Sequence, residues 1–308
     1  MIKVEGLTKD FNGTLAIDDL HFEVAEGDVF GFIGPNGAGK TTTIRILSTV
    51  LNPTRGTAFI GGHSILNEPE KVRAVIGYMP DYYGLYDGIE VWEYLDFFAR
   101  AYRLPRKKRR GIIDDVMELT DLGGLATKLV GTLSKGMKQR VCLAKTLLHD
   151  PEVLILDEPA AGLDPRARIE LRALLKELSR MGKTIFISSH ILTELADVCN
   201  AVGIIEKGRL LACGDIEKIA RGIRPDRVLA IKVVQKLAEA AEFLKTYAGV
   251  ISVEVEKGSL GVRFQGEDAD IARLLEALVS QGISVVGLAE RTWDLESIFM
   301  GITKGDLA

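Results

Sequence analysis

GPNGAGKT, residues 34 to 41, follows the apolar run DVFGFI and opens a stretch with helical patterning. A glycine-rich loop of the form G-x-x-x-x-G-K-[ST], with a strand before it and a helix after it, is the setting in which this pattern holds phosphate. Gly34, Gly37 and Gly39, with Pro35, Asn36 and Ala38 between them, let consecutive backbone N–H groups converge on phosphate oxygens. Lys40 adds a mobile cation toward the outer phosphates, and the helix N-terminus adds its partial positive charge. Thr41 offers a hydroxyl to Mg²⁺. Thr42 belongs to the candidate set with it, although Thr42 and Thr43 read equally well as polar residues of the first helical turn.

The matching half of such a site is VLILDEP, residues 153 to 159. Asp157 ends an apolar run of buried-strand type, where a carboxylate reaches a metal directly or through water, and Glu158 is placed to orient or deprotonate an attacking water. Two adjacent acids beside phosphate repel it unless a cation intervenes, so the pair implies a divalent metal. A nucleotide's phosphates and Mg²⁺ are the expected ligands.

Composition narrows the function classes. The chain has 308 residues, 47% of them hydrophobic, enough for one sizeable core and a second, smaller domain. Its formal net charge of -4 gives no general field for nucleic acid, so no nucleic-acid partner is expected. Cys142, Cys199 and Cys213 lack any Cys-x-x-Cys spacing and read as core or surface thiols of a reducing compartment. The N-terminal MIKVEGLTKDF lacks the basic start and apolar core of a signal peptide, and no run approaches 18 apolar residues, so a membrane role has to come through a partner.

Along the chain, residues 2 to 33 alternate like short strands, and a helix is expected from about Gly39 to Val50. TRGTAFIGG reads as a turn into a strand and VRAVIGYM as another strand. Helical spacing runs from about Glu90 to Leu122, broken at PRKKRRG, whose basic residues read as a solvated turn between two helices or as a contact for phosphate or lipid headgroups. Helices are expected at 135–149, 166–181 and from about Ile191, alternating with strands in VLILDEP, KTIFISSH and AVGIIEKGRLLACG. That alternation predicts a parallel sheet covered on both faces. A boundary falls at GIRPDRV, and the remainder reads β-α-β-β-α-β, the ferredoxin-like order, with a further helix around Leu295 to Met300. It holds no ligand-spaced cluster and is expected to bind, dimerise or regulate.

Taken together, the phosphate loop, LSKGMKQR (133–140), LDEP (156–159), GLD (162–164) and SSH (188–190) resemble, in order and spacing, the nucleotide-binding subunits of ATP-binding cassette (ABC) transporters over residues 1–220. The resemblance implies an α/β P-loop NTPase fold, an ABC-type ATPase domain over 1–222 with a helical subdomain at about 88–150, followed by a small α+β ferredoxin-like C-terminal domain over 225–308. It implies a head-to-tail dimer, of two copies or a copy and a paralogous ATPase subunit, with ATP between the loop of one and the signature segment of the other. Ser134 and Gly136 would then face the partner's nucleotide, and Ser134 is also a sound N-cap. His190 resembles the switch histidine on the γ-phosphate, Asp164 the acid that crosses the dimer interface, and Phe11 the aromatic on which adenine stacks.

Three positions depart from the family. Lys135 and Met137 replace the third and fifth residues of the usual L-S-G-G-Q. Asp81, in GYMPDYYGLYDG, stands where a glutamine usually touches Mg²⁺ and the nucleophilic water; it reads as a metal ligand through water or as a turn residue. The layout after His190 resembles the exporter branch, whose permease subunits are separate integral membrane proteins, which would place this chain at the cytoplasmic face of the membrane. Tyr82, Tyr83 and Tyr86, with the helix after them, read as a docking surface for such a partner or as packing inside the helical subdomain. The alternatives are a soluble ABC-type ATPase of translation or DNA repair and a nucleotide switch that does not turn over; Lys40, Asp157, Glu158 and His190 speak against the second.

Overall fold

Alternating apolar residues pair Ile2–Phe11 (β1) with Thr14–Val24 (β2) as an antiparallel hairpin. With Arg55–Ile60 (β4) and His63–Ser64 (β5) they form a four-stranded antiparallel sheet in the order β2-β1-β4-β5. The structure is a computed structural model that describes residues 1–82, 84–191, 198–216, 218–219, 227–256 and 258–290. The chain divides into two units, Met1–Ile216 and Glu217–Ala308.

The second sheet of the first unit has six strands in the order β10-β9-β3-β8-β7-β6. They are Val29–Ile33 (β3), Ile76–Met79 (β6), Val153–Leu156 (β7), Thr184–Ser189 (β8), Ala201–Glu206 (β9) and Arg209–Asp215 (β10). All but β10 run parallel. β3, β7 and β8 are buried at every position, which is why they read as unbroken apolar runs. One core joins both sheets through Phe22, Phe30, Phe32 and Phe186. The Phe186 ring lies 5.4 Å from Phe30, 5.3 Å from Phe32 and 6.0 Å from Phe22, centroid to centroid.

Six helices of this unit are described: Lys40–Leu47 (α1), Pro69–Val75 (α2), Val91–Ala101 (α3), Arg106–Leu119 (α4), Lys135–Leu147 (α5) and Pro165–Arg180 (α6). The segments α3, α4 and α5 pack on one another as a helical group. Two expectations are corrected here. VRAVIGYM is half helix, because Pro69 sets the first turn of α2 and carries it through Val75 before β6 begins. The basic run Arg106–Arg110 is the start of α4, with Pro105 at its N-cap position, rather than a turn. Arg109 turns inward there, 15% exposed and 3.6 Å from Asp96.

In the second unit, Arg227–Val233 (β11), Leu237–Thr246 (α7), Val250–Glu256 (β12), Ser259–Phe264 (β13), Asp268–Ser280 (α8) and Val285–Glu290 (β14) follow the β-α-β-β-α-β order. The sheet is antiparallel throughout, in the order β12-β13-β11-β14, the ferredoxin-like arrangement. Leu229, Ile231, Leu244, Leu260, Phe264, Leu274 and Leu278 form its core. Most of the helix expected from Ile191, the helix around Leu295 to Met300, residues 222–226 of the boundary segment and Tyr83 lie outside the described residues. The three cysteines are free, with Cys142 and Cys199 buried.

The Phe186 ring is shared by strands of both sheets, so its loss leaves a cavity that neither sheet closes alone. Phe186→Ala should lower the unfolding free energy of the first unit by about 3–5 kcal/mol in urea titrations; a loss below about 1 kcal/mol would contradict this packing.

Candidate active site

Parallel pairing places Ile33 beside Ser189, Leu156 beside Ile187 and Met79 beside Leu156. The residues just after these strands, Gly34, Asp157, His190 and Asp81, therefore gather at one carboxyl edge of the sheet, the usual place for a ligand in this architecture. The glycine loop is held tightly. A β-carbon on Gly34 would lie 2.2 Å from the Ile205 carbonyl oxygen, and one on Gly39, at φ 109°, 2.7 Å from that of Ala16. At the mouth of α1 the first N–H groups have no carbonyl one turn back to bond.

Lys40 is buried against this loop, its Nζ donating to the carbonyls of Gly34 at 2.8 Å and Pro35 at 3.2 Å. The same Nζ lies 3.4 Å from Glu158 Oε1. Glu158 Oε2 is 2.7 Å from His190 Nδ1, so the carboxylate sits between the loop lysine and the strand-end histidine. Glu158 has φ 49°, a left-handed conformation that costs a non-glycine residue about 1–3 kcal/mol. Its N–H donates to Ser188 Oγ at 2.9 Å, which holds that turn from the neighbouring strand.

Asp157 is 1% exposed. Ser188 Oγ donates to its Oδ1 at 2.7 Å and Thr41 Oγ1 to the same oxygen at 3.3 Å, while Oδ2 has no hydrogen-bond partner. Burial raises the Asp157 pKa above the ordinary aspartate value; the two hydroxyls oppose the rise, and the charges of Asp81 and Glu158 add to it. Tyr78 on β6 is pushed up to about 12, first by burial and then by the Asp157 charge. Asp81 is exposed: its Oδ1 accepts the Tyr82 N–H at 2.8 Å and lies 3.9 Å from Arg45 Nη2.

The structure thus joins Lys40, Thr41, Asp157, Glu158 and His190 into one network with Asp81 at its margin. The other candidates stand apart from it. Ser134 caps α5, accepting the Met137 N–H at 3.3 Å, and Asp164 caps α6, accepting the Ala167 N–H at 2.9 Å. Gly136 faces Leu163 and Ala167, which sets the two capped helix starts side by side. Lys135 lays its Nζ against Gly162, where a β-carbon would sit 2.0 Å from that nitrogen. Phe11 is exposed at the end of the β1–β2 hairpin with Lys9 Nζ 5.1 Å from its ring.

Two participants do not stand out in the sequence. Ser188 is there only the first residue of SSH, while in the fold its hydroxyl ties Asp157 to the Glu158 backbone. Arg45 carried a usable signal: it is four residues after Thr41, on the same face of α1.

The family model described as ABC transporter matches residues 17–161. An uncharacterized ABC transporter ATP-binding protein of Bacillus subtilis strain 168, YhcH, is 36% identical over 304 residues, 98% of this chain and 96% of that protein. The chain belongs to the ABC transporter family. It is similar also to the daunorubicin resistance ATP-binding protein DrrA3 of Streptomyces coeruleorubidus, 32% identical over 305 residues, 99% of this chain and 96% of that one. A solved structure of an ATP-binding subunit of an ABC transporter superposes with a TM-score of 0.66 at 31% identity, covering 72% of this chain and 92% of its own. As an ABC ATPase the chain binds and hydrolyses ATP. The translation-factor, DNA-repair and non-hydrolysing readings give way to this transport family. Among the described residues, no helix is long and apolar enough to cross a membrane.

The raised Asp157 pKa has a defined sign for stability. The folded state binds the proton more tightly than the unfolded one, so this group's contribution falls as pH rises from the ordinary aspartate value through the raised one. Asp157→Asn, measured without nucleotide, should match or exceed the parent's unfolding temperature at pH 8, with the difference shrinking as pH falls toward 4. A variant whose relative stability worsens with rising pH would contradict burial as the cause.

Proposed function

We propose that this ABC ATPase powers export through separate membrane-spanning permease subunits, working as one half of a head-to-tail ATPase dimer in which Glu158 is the general base. The observation that carries the catalytic part is the Glu158 carboxylate held at 2.7 Å by His190 Nδ1 and at 3.4 Å by Lys40 Nζ, at the mouth of the phosphate loop. Gly34 to Thr42 cradle the phosphates, Lys40 meets the outer ones, and His190 orients Glu158 toward water beside the γ-phosphate. Phe11 offers a ring face to adenine.

The donor set fits magnesium. Thr41 hydroxyl and the partnerless Asp157 Oδ2 are hard oxygen donors on one side, with Asp81 reaching through water. Among the described residues no three His, Cys, Asp or Glu side chains converge as a metal cage, which suits an ion that keeps phosphate and water ligands. Bound there, Mg²⁺ supplies charge neutralisation on the outer phosphates.

The dimer reading is supported by the separation of the two groups. Among the described residues, Ser134 and Asp164 have no hydrogen bond or ion pair to the Lys40–Glu158 network of their own chain and are spent on capping α5 and α6, so with Gly136 they are available to complete the site of a second copy or a paralogue. Export is supported by the relative named for daunorubicin resistance, because removing a toxic compound from the cell is one way to resist it. The partners follow from that reading: permease subunits spanning the membrane, with the ATPase at its cytoplasmic face.

Glu158→Gln should retain ATP binding, lose most hydrolysis (on the order of 10²–10⁴-fold, as for a removed general base) and accumulate as a closed dimer on size exclusion with ATP. Phosphate release at the parental rate would remove Glu158 from the role of base.

Asp81 is a separate matter, because it touches Arg45 rather than the Lys40 network. Asp81→Gln should change permease-stimulated turnover more than ATP affinity, compared by coupled ATPase assay with and without the membrane partner. Equal changes in both would show Asp81 acting on nucleotide binding alone.

A further inference from the structure

The eleven residues Arg100–Arg110 hold seven of the chain's 39 Lys and Arg and none of its 43 acids. In a chain of net charge -4 this is a sharp local reversal. Arg106, Lys107, Lys108 and Arg110 occupy the first turns of α4, the positive end of its dipole, with no capping side chain and no acid among them. Each exposed cation there is disfavoured by about 0.3–1 kcal/mol. The exposed acids Asp114, Asp115 and Glu118 follow toward the other end, so the helix is charged against its own dipole along its whole length.

Neighbouring groups do not neutralise the cluster. Arg100 pairs with Asp96 at 2.5 Å, Arg109 shares that carboxylate at 3.6 Å, and Arg110 lies 4.0 Å from Asp114. Among the described residues, Arg103, Arg106, Lys107 and Lys108 have no carboxylate partner, and all four are exposed. Exposed apolar surface precedes them on α3: Phe97 is 53% exposed one turn before Arg100, with Tyr86, 56% exposed, edge-on at 6.1 Å. Unpaired cations that follow exposed rings within a few residues match the headgroup layer of a bilayer, where cations meet lipid phosphates and aromatics sit at the interface.

We propose that the Arg100–Arg110 segment, with Phe97, is a contact surface for anionic lipid headgroups. This rests on the reading of the chain as a transport ATPase, which works beside a membrane that its permease spans. A bilayer is favoured over nucleic acid because the remainder of the chain is acidic and would repel an extended polyanion, whereas a bilayer is met by one face only.

The test is flotation of the full chain with phosphatidylcholine vesicles, with and without phosphatidylglycerol, alongside its ATPase rate. The chain should float with the phosphatidylglycerol vesicles only, and rising salt should release it. At about 1 kcal/mol per cation, or about fivefold, Lys107→Gln with Lys108→Gln should weaken that binding about 30-fold and leave ATP hydrolysis unchanged. Neutralising exposed Lys232 in the second unit should leave flotation as it was. Binding indifferent to phosphatidylglycerol, or unaltered in the double variant, overturns the proposal, as does a single-stranded oligonucleotide that binds more tightly than the vesicles and displaces them. A parent chain that hydrolyses no ATP would instead count against the transport-ATPase reading, since flotation is scored independently.

Discussion

The parallel register of β6, β7, β8 and β3 is the constraint on which the candidate site depends. Parallel strands deliver their carboxyl ends to one edge, and here the pairing of Leu156 with Ile187 and of Phe32 with Ser188 sets Ser188 beside the residues that follow β7. Only in that register does the Ser188 hydroxyl serve two neighbours, donating to Asp157 and accepting from the Glu158 backbone. A slip of one residue would turn Ser188 to the opposite face. Asp157 would then be a buried carboxylate with still fewer hydrogen bonds, and the left-handed turn at Glu158 would lose its support. The phenylalanine cluster behind these strands keeps the register from moving, since Phe186 is two residues before Ser188 on the same strand and packs against both sheets.

That arrangement carries an electrostatic cost which the chain leaves partly uncompensated. The charges of Asp81 and Glu158 both act on Asp157, and the cations beside those two acids are Arg45 and Lys40. Lys40 is bound to loop carbonyls as well as to Glu158, so its charge is shared. The partnerless Asp157 oxygen is where the deficit is greatest. A buried polar atom without a partner is retained against stability, and such sites concentrate where a ligand is to be met.

Much of this was legible beforehand because the informative residues are local in sequence. The phosphate loop, the apolar run ending in Asp157 and Glu158, and the split β-α-β-β-α-β tail each announce their structure through spacing alone. What escaped is nonlocal or is decided by one residue. Whether VRAVIGYM starts as helix or strand depends on Pro69, which lies before the apolar run and outside the pattern that suggested a strand. The basic residues after Pro105 look like a turn by composition, yet Ile113, Val116 and Met117 supply a buried helical face strong enough to carry the helix back through them. The double role of Ser188 requires knowing which strands are neighbours, and the placement of Lys135 against Gly162 requires knowing that α5 and α6 start side by side.

The acid at position 81 looks different once its neighbour is known. Where the resembled family has a neutral amide, this chain has a carboxylate, and α1 supplies a guanidinium 3.9 Å away. An exposed pair at that distance contributes at most about 1 kcal/mol to stability, so its significance lies in where the charge is placed. Thr41 and Arg45 are one turn apart on α1, and they reach Asp157 and Asp81 respectively. The helix that begins at the phosphate loop therefore contacts both acids, one through a hydroxyl and one through a cation. In the proposed nucleotide site, carboxylate in place of amide would add a negative charge near the phosphates, and Arg45 stands beside that charge at the margin of the network. Asp81 and Arg45 are best understood as one electrostatic unit, so the effect of a carboxylate at position 81 depends on the guanidinium that α1 sets beside it.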